Sequence, residues 1–159
     1  LRKEFDFILL DSPAGIESGF RNASIGADEA LVITTPEVPA VRDADRIIGL
    51  LESMGKSPIR LVINRLRSRL VKQGEMLDVR DVLDILAIDL VGIVPEDDSV
   101  VKSANRGEPL TFGDSAPAAQ AFQRIASRIL GETVPFSDFS EEQGRGFFAG
   151  IRKFFGRKE

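Results

Sequence analysis

At 159 residues, with 43% hydrophobic and 29% charged side chains, the chain is long enough to bury one core and ordinary enough in composition to be globular. It contains neither cysteine nor histidine, which excludes disulfides, thiol nucleophiles, Cys/His metal sites and any catalytic triad that runs through an imidazole. The net charge of −4 is unevenly placed: residues 145–159 hold five cations against one carboxylate, so the first 144 residues carry −8, and an acidic body speaks against broad nucleic-acid binding.

No apolar run reaches the roughly 18 residues that would mark a bilayer-spanning helix, and no signal-peptide pattern opens the chain. The chain starts at Leu1 and goes almost at once into an apolar run, which reads as a chain whose upstream part is missing. Phe5–Leu10 (FDFILL) is that run, and it is predicted to be a strand buried on both faces, as in parallel sheets. Ala30–Thr35 is the next predicted strand, stopped by Pro36. Val41, Ala44, Ile47, Ile48 and Leu51 then recur at helical spacing, predicting a helix over Val41–Ser53 that Gly55 ends. Arg60–Asn64 is a third strand. Asp78 caps a predicted helix that runs to Ala87, with Val79, Val82, Leu83 and Leu86 on one stripe. Leu90–Val94 is a fourth strand, and Ser99–Arg106 a short helix closed by Gly107. Ser115 is the expected cap of a last helix that starts near Pro117 and stops before Gly131.

Strand and helix alternate, so the expected fold class is α/β: a mostly parallel sheet with helices on both faces and right-handed crossovers. Ligands bind such sheets beyond the carboxyl ends of the strands. Three loops leave those ends: residues 11–15 (DSPAG), 64–65 (NR) and 95–98 (PEDD). Residues 1–133 form the expected domain, 134–143 a polar linker, and 144–159 an amphipathic helix.

An apolar strand that ends in a carboxylate, followed by a glycine loop, suits phosphate chemistry. The strand holds Asp11 at the sheet edge, where it can serve a magnesium ion or its bound water. Gly15 lets the backbone approach a terminal phosphate and move as that phosphate comes and goes. By spacing alone, Asp11 serves equally as a strand-end residue, with Ser12-Pro13 as an ordinary turn.

The strings DSPAGIE, TTPEVPAVRDADRIIGLLE, INR and VPEDDSVVKSANRGEPL, in that order along the chain, resemble the MinD group of deviant Walker A ATPases, relatives of ParA partition ATPases and of nitrogenase iron protein. The resemblance implies a P-loop NTPase fold with ATP and magnesium as cofactors. It makes Asp11 and Gly15 the catalytic residues, Asp11 also serving the magnesium ion, through water. It makes Asn64 the reader of adenine, Arg65 a further cofactor-binding residue, and Pro95, Glu96 and Asp97 the lining of the adenine pocket. An amide suits adenine because it offers donor and acceptor together; by spacing alone Asn64 is a strand-end residue. Arg42, Asp43, Asp45 and Arg46 match a surface for dimerisation and partner binding, although such a cluster also reads as a solvated helix face. The partners so implied are a second copy in the presence of ATP, a MinC-like division inhibitor, and MinE or a topological adaptor. The chain departs from the family pattern in two respects: no G-x-x-x-x-G-K-[ST] phosphate cradle occurs in the 159 residues, and the loop that in the family supplies a switch Asp near the metal is absent too.

In the last residues, Phe147, Phe148, Ile151, Phe154 and Phe155 fall on an arc of roughly 120° of a helix, with Arg145, Arg152, Lys153 and Arg157 beside or opposite it. Aromatic rings on a short basic helix after an acidic linker make an in-plane anchor for an anionic membrane surface. Docking on the protein's own core or in a partner's groove is the alternative. Gly146, Gly150 and Gly156 weaken the helix in water, so it is expected to form on lipid. The function expected is a membrane-cycling ATPase that positions the division septum, cytoplasmic and peripheral to the inner membrane face. The rivals are a DNA-binding ParA-type ATPase, which the acidic body disfavours, and a non-enzymatic membrane-tethered module.

Overall fold

The computed structural model of the chain describes residues 1–13, 15–110 and 115–136. The elements run α1 (Ser18–Gly26), β1 (Ala30–Thr34), α2 (Val38–Ser53), β2 (Ile59–Leu66), α3 (Ser68–Lys72), α4 (Val79–Leu86), β3 (Asp89–Pro95), α5 (Asp98–Arg106) and α6 (Pro117–Ile129). The three strands form one parallel sheet in the order β1-β2-β3.

Alternation of side chains along the strands sends them into two apolar layers. On one face Val32, Leu61, Ile63, Leu90 and Ile93 pack with Val41, Ala44, Ile48 and Leu51 of α2 and Val79, Val82 and Leu86 of α4. On the other face Val62, Val91 and Val94 pack with Ala118, Ala121 and Ile125 of α6. β2 is covered on both faces, and Leu61 and Ile63 are fully buried.

β3 carries Gly92 at the closest approach of α6. A Cβ there would collide with Ile125 Cγ1 and stand 2.7 Å from its Cδ1. Ile125 is β-branched and cannot swing aside freely. Gly92→Ala is therefore expected to cost about 1–2 kcal/mol by overpacking; an unchanged thermal midpoint would show that the helix shifts without penalty.

The structure corrects several expectations. Phe5–Leu10 is not a strand: its apolar side chains lie on the surface, Leu9 being 88% exposed. Apolar composition favours burial, but a strand also needs a neighbour for its N–H and C=O groups. Among the described residues β1 pairs with β2 alone, and segment 5–10 joins neither edge of the sheet. α2 begins at Val38, three residues early, because Pro39 sits in its first turn, where the missing N–H costs nothing. The N-cap of α6 is Ala116, not Ser115; its first turn is capped from elsewhere in the chain. β2 does not end at Asn64 but runs on to Leu66 through an irregularity between Ile63 and Leu66. α1 and α3 were not foreseen.

α4 matches expectation closely. Asp78 accepts the Asp81 N–H at 2.8 Å, and Asp81 accepts the Asp78 N–H at 3.0 Å, a reciprocal capping box. After α6 the chain crosses to the other layer, since Phe136 packs against the layer opposite α6. Arg128 of α6 fastens this passage. It donates to the Val91 carbonyl of β3 at 2.8 Å and to the Val134 and Pro135 carbonyls at 3.0 Å each, and its guanidinium lies 3.8 Å above the Phe136 ring. The linker predicted over 134–143 thus begins in residues held to the body. Its remainder and the helix predicted over 144–159 lie outside the described residues.

Candidate functional site

All three strands point their carboxyl ends the same way, so the residues that leave β2 and β3 meet at one rim. At the exit of β2, Ile63 pairs with Ile93 and Leu66 with Pro95, leaving two residues on β2 opposite one on β3. Such a bulge re-aims the side chains it carries. Its residues are Asn64 and Arg65. Arg65 has φ 58°, in the left-handed region. Its N–H donates to Asn64 Oδ1 at 3.0 Å.

The Arg65 side chain reaches across to the β3 exit. Nε donates to Glu96 Oε2 at 3.1 Å and Nη2 to Oε1 at 3.3 Å, while Arg67 Nη2 donates to Oε1 at 3.2 Å. The hydrogen bond to Glu96, then the Glu96 charge, raise the Arg65 pKa above its ordinary value, and Glu37 before α2 adds to this. The hydrogen bonds from Arg65 and then Arg67 hold the Glu96 carboxyl below its ordinary value. These groups are exposed, so solvent screens the network, and its role is geometric more than energetic.

Asp97 works differently. Its Oδ1 accepts the Ser99 N–H at 2.8 Å and caps α5; its Oδ2 accepts the Ala118 N–H at 3.0 Å and caps α6. The Ser99 hydroxyl faces the same carboxylate, outside regular hydrogen-bond geometry. That hydroxyl, then the Ala118 and Ser99 N–H groups, lower the Asp97 pKa. One carboxylate thus joins two helix N-termini to the β3 exit, leaving the backbone of 95–97 as what this loop offers a ligand.

A second group lies along the other side of the sheet. Ser12, Pro13 and Gly15, the last at φ 96°, share a cleft of about 650 Å³ with Thr35, Asp43 and Arg46. The loop after residue 11 and the start of α2 therefore line one cleft, together with residues 30–35 of and after β1. Asp11 is exposed and does not line this cleft; Arg42 and Asp45 are exposed on α2 and do not line it either. Asn64, Pro95, Glu96 and Asp97 belong to the rim and not to the cleft. Phe147, Phe148, Ile151, Arg152, Lys153, Phe154, Phe155 and Arg157 lie outside the described residues. Sequence reasoning missed Arg67, which stands just beyond β2 at the N-cap of α3, and Glu37, at the N-cap of α2; their closeness to Arg65 and Glu96 comes from the fold, and nothing in the sequence announced it.

Residues 6–110 match the family profile described as the CobQ/CobB/MinD/ParA nucleotide binding domain. The chain is 52% identical over 157 residues to the septum site-determining protein MinD of Bacillus subtilis (strain 168), covering 98% of this chain and 58% of that protein. Among solved structures it resembles MinD in the MinC:MinD cell division protein complex of Aquifex aeolicus, at a TM-score of 0.82 and 46% identity over 87% of this chain and 57% of that one. It also resembles MinD of Aquifex aeolicus alone, at 0.80 and 48% over 84% and 57%. The chain thus spans somewhat more than half the length of the relatives it matches. The parallel sheet, the rim of strand exits that carries the bulge and the acidic loop, and a match over two-thirds of the sequence lead to one assignment: the chain belongs to the CobQ/CobB/MinD/ParA family of nucleotide-binding domains.

Proposed function

We propose that the chain forms part of a membrane-cycling ATPase that positions the cell-division septum. The observation that carries this reading is the placement of Asn64 on the β2 bulge beside the β3 exit, which Arg65 ties to Glu96, at the carboxyl rim of the parallel sheet in a chain about half identical to a septum site-determining protein. Asn64 offers an amide to the adenine edge, and Pro95, Glu96 and Asp97 supply backbone groups around it. Gly15 follows the terminal phosphate. Asp11 is the residue toward a magnesium ion. Among the described residues no three carboxylates gather into a metal cage. Magnesium takes one or two carboxylates together with water and phosphate oxygens, so a single exposed carboxylate fits a magnesium ion that arrives with the nucleotide and neutralises its phosphate charge. The cleft that joins Gly15 to Asp43 and Arg46 supports a route from phosphate state to the α2 surface, where Arg42 and Asp45 complete a face for a second copy, for a MinC-like inhibitor, and for MinE or a topological adaptor. The basic phenylalanine-rich residues 145–158 bring the assembly to an anionic membrane surface, and a dimer brings two such tails at high effective concentration.

The 159 residues contain no glycine-lysine phosphate cradle, and without one nothing positions the β- and γ-phosphates for transfer. Purified alone, the chain is expected to release phosphate from ATP no faster than a buffer blank. The intact protein, with whatever precedes residue 1, is expected to hydrolyse ATP, and faster when anionic vesicles are present. Hydrolysis by the chain alone, or none by the intact protein, would overturn the corresponding half of this reading.

A further inference from the structure

Arg65 combines three features that its neighbours lack. Its backbone is left-handed, a conformation unfavourable for a residue with a Cβ and held only where the surroundings impose it. That backbone turns the Arg65 N–H onto Asn64 Oδ1. Because a carboxamide nitrogen cannot accept, this contact settles which end of the Asn64 amide is which: Oδ1 faces the bulge with one lone pair remaining, and Nδ2 is the end presented for donation. The Arg65 guanidinium meanwhile grips both oxygens of Glu96, which is also held by Arg67, so the exits of β2 and β3 are tied at a set spacing.

We propose that Arg65 is a positioning residue for base recognition: its backbone orients the Asn64 carboxamide and its side chain holds loop 95–97 at the distance a purine needs, without touching the nucleotide. This rests on the nucleotide-site reading above and deepens it. A planar base is gripped by the amide from β2 and by backbone groups from the β3 exit, so both the orientation of one and the separation of the two must be set before the base arrives. Arg65 bears on both, through its N–H and its guanidinium. Glycine adopts a left-handed backbone without penalty, so Arg65→Gly keeps the backbone contact and removes only the tie to Glu96, whereas Arg65→Ala weakens both.

The test is calorimetric titration of the intact protein with ADP. Arg65→Ala is expected to weaken ADP binding by about threefold to tenfold, the size of one lost hydrogen-bonding contact. Arg65→Gly and Glu96→Gln should each fall between Arg65→Ala and the parent. The exchange of Arg65→Glu with Glu96→Arg should recover part of the affinity. The deciding readout is a double-mutant cycle: with Asn64→Ala in place, Arg65→Ala should cost no more than Arg65→Gly costs in the parent, because only the tie to Glu96 is then left to lose. An equal loss in both backgrounds would overturn the proposal, as would an unchanged ADP affinity in Arg65→Ala alongside a clear loss in Asn64→Ala. If Asn64→Ala itself leaves ADP binding unchanged, the nucleotide-site reading falls, and the positioning role falls with it. Arg65 and Glu96 are exposed, so these variants are expected to fold as the parent does.

Discussion

Asp97→Ala is expected to lower folding stability by about 2–3 kcal/mol, a fall in thermal midpoint of roughly 5–10 °C for a chain of this size. The loss is larger than for an ordinary cap because one carboxylate serves two helices. Oδ1 holds the first turn of α5 and Oδ2 the first turn of α6, and alanine leaves both sets of N–H groups without their acceptor. Asp97→Asn separates the contributions. An amide has one accepting oxygen, so it keeps one cap, loses the other and carries no charge; about half the loss should return. The pH dependence follows from the lowered Asp97 pKa. The stabilisation is fully present above the ordinary carboxylate value of about 3.9 and is lost as pH falls through the lower folded value. The gap between parent and Asp97→Asn should therefore be constant near neutrality and close in acid. The chain has no Trp and no Tyr, so far-UV circular dichroism is the probe to use. An Asp97→Ala midpoint equal to that of the parent would show that water caps both helices as well as the carboxylate does.

The second large effect concerns the opposite end of the chain. Replacing Phe154 and Phe155 together with Asp is expected to abolish co-sedimentation with anionic vesicles. Each phenylalanine ring that enters the acyl boundary contributes about 1.5–3 kcal/mol, and the basic residues beside them about 1 kcal/mol each near an anionic surface. A single amphipathic helix binds only reversibly, so removing two rings and adding two negative charges takes away more than a hundredfold in partitioning, by the tenfold per 1.4 kcal/mol of an equilibrium. Binding by the parent should weaken as salt rises and on vesicles without anionic lipid, since exposed charges are screened. Pelleting that is unchanged in the double variant would refute a membrane role for residues 145–158 and return the docked-helix alternative to the front.

The three described strands were legible in the sequence because each is a short apolar run with turn signals near it; β2 and β3 are largely buried as that pattern demands, while β1 leaves Leu31 and Ile33 exposed. α4 was legible to the residue because its cap is local: Asp78 and Asp81 lie three apart and bond only each other's backbone. Elements whose ends are decided at a distance were not. The cap of α6 comes from Asp97, 21 residues before Ala118 in the chain, and nothing near Ser115 announces it. Phe5–Leu10 has the composition of a buried strand, yet composition does not supply a ladder partner. At the rim, the residues marked 64–65 and 95–98 only as loops at strand ends, and the resemblance supplied the site reading of Asn64 and loop 95–97; the bulge that sets them was hidden, since a left-handed arginine has no sequence signature and the grip of Arg65 and Arg67 on Glu96 depends on strand register.

Arg128 makes the two edges of the described sheet unequal. It already takes the Val91 carbonyl of β3, so a strand added beside β3 would compete with the guanidinium for that group. On the β1 side, among the described residues, the strand pairs only with β2, and Leu31 and Ile33 are exposed. A further strand therefore meets less resistance beside β1 than beside β3, and the ladder has a preferred direction of extension.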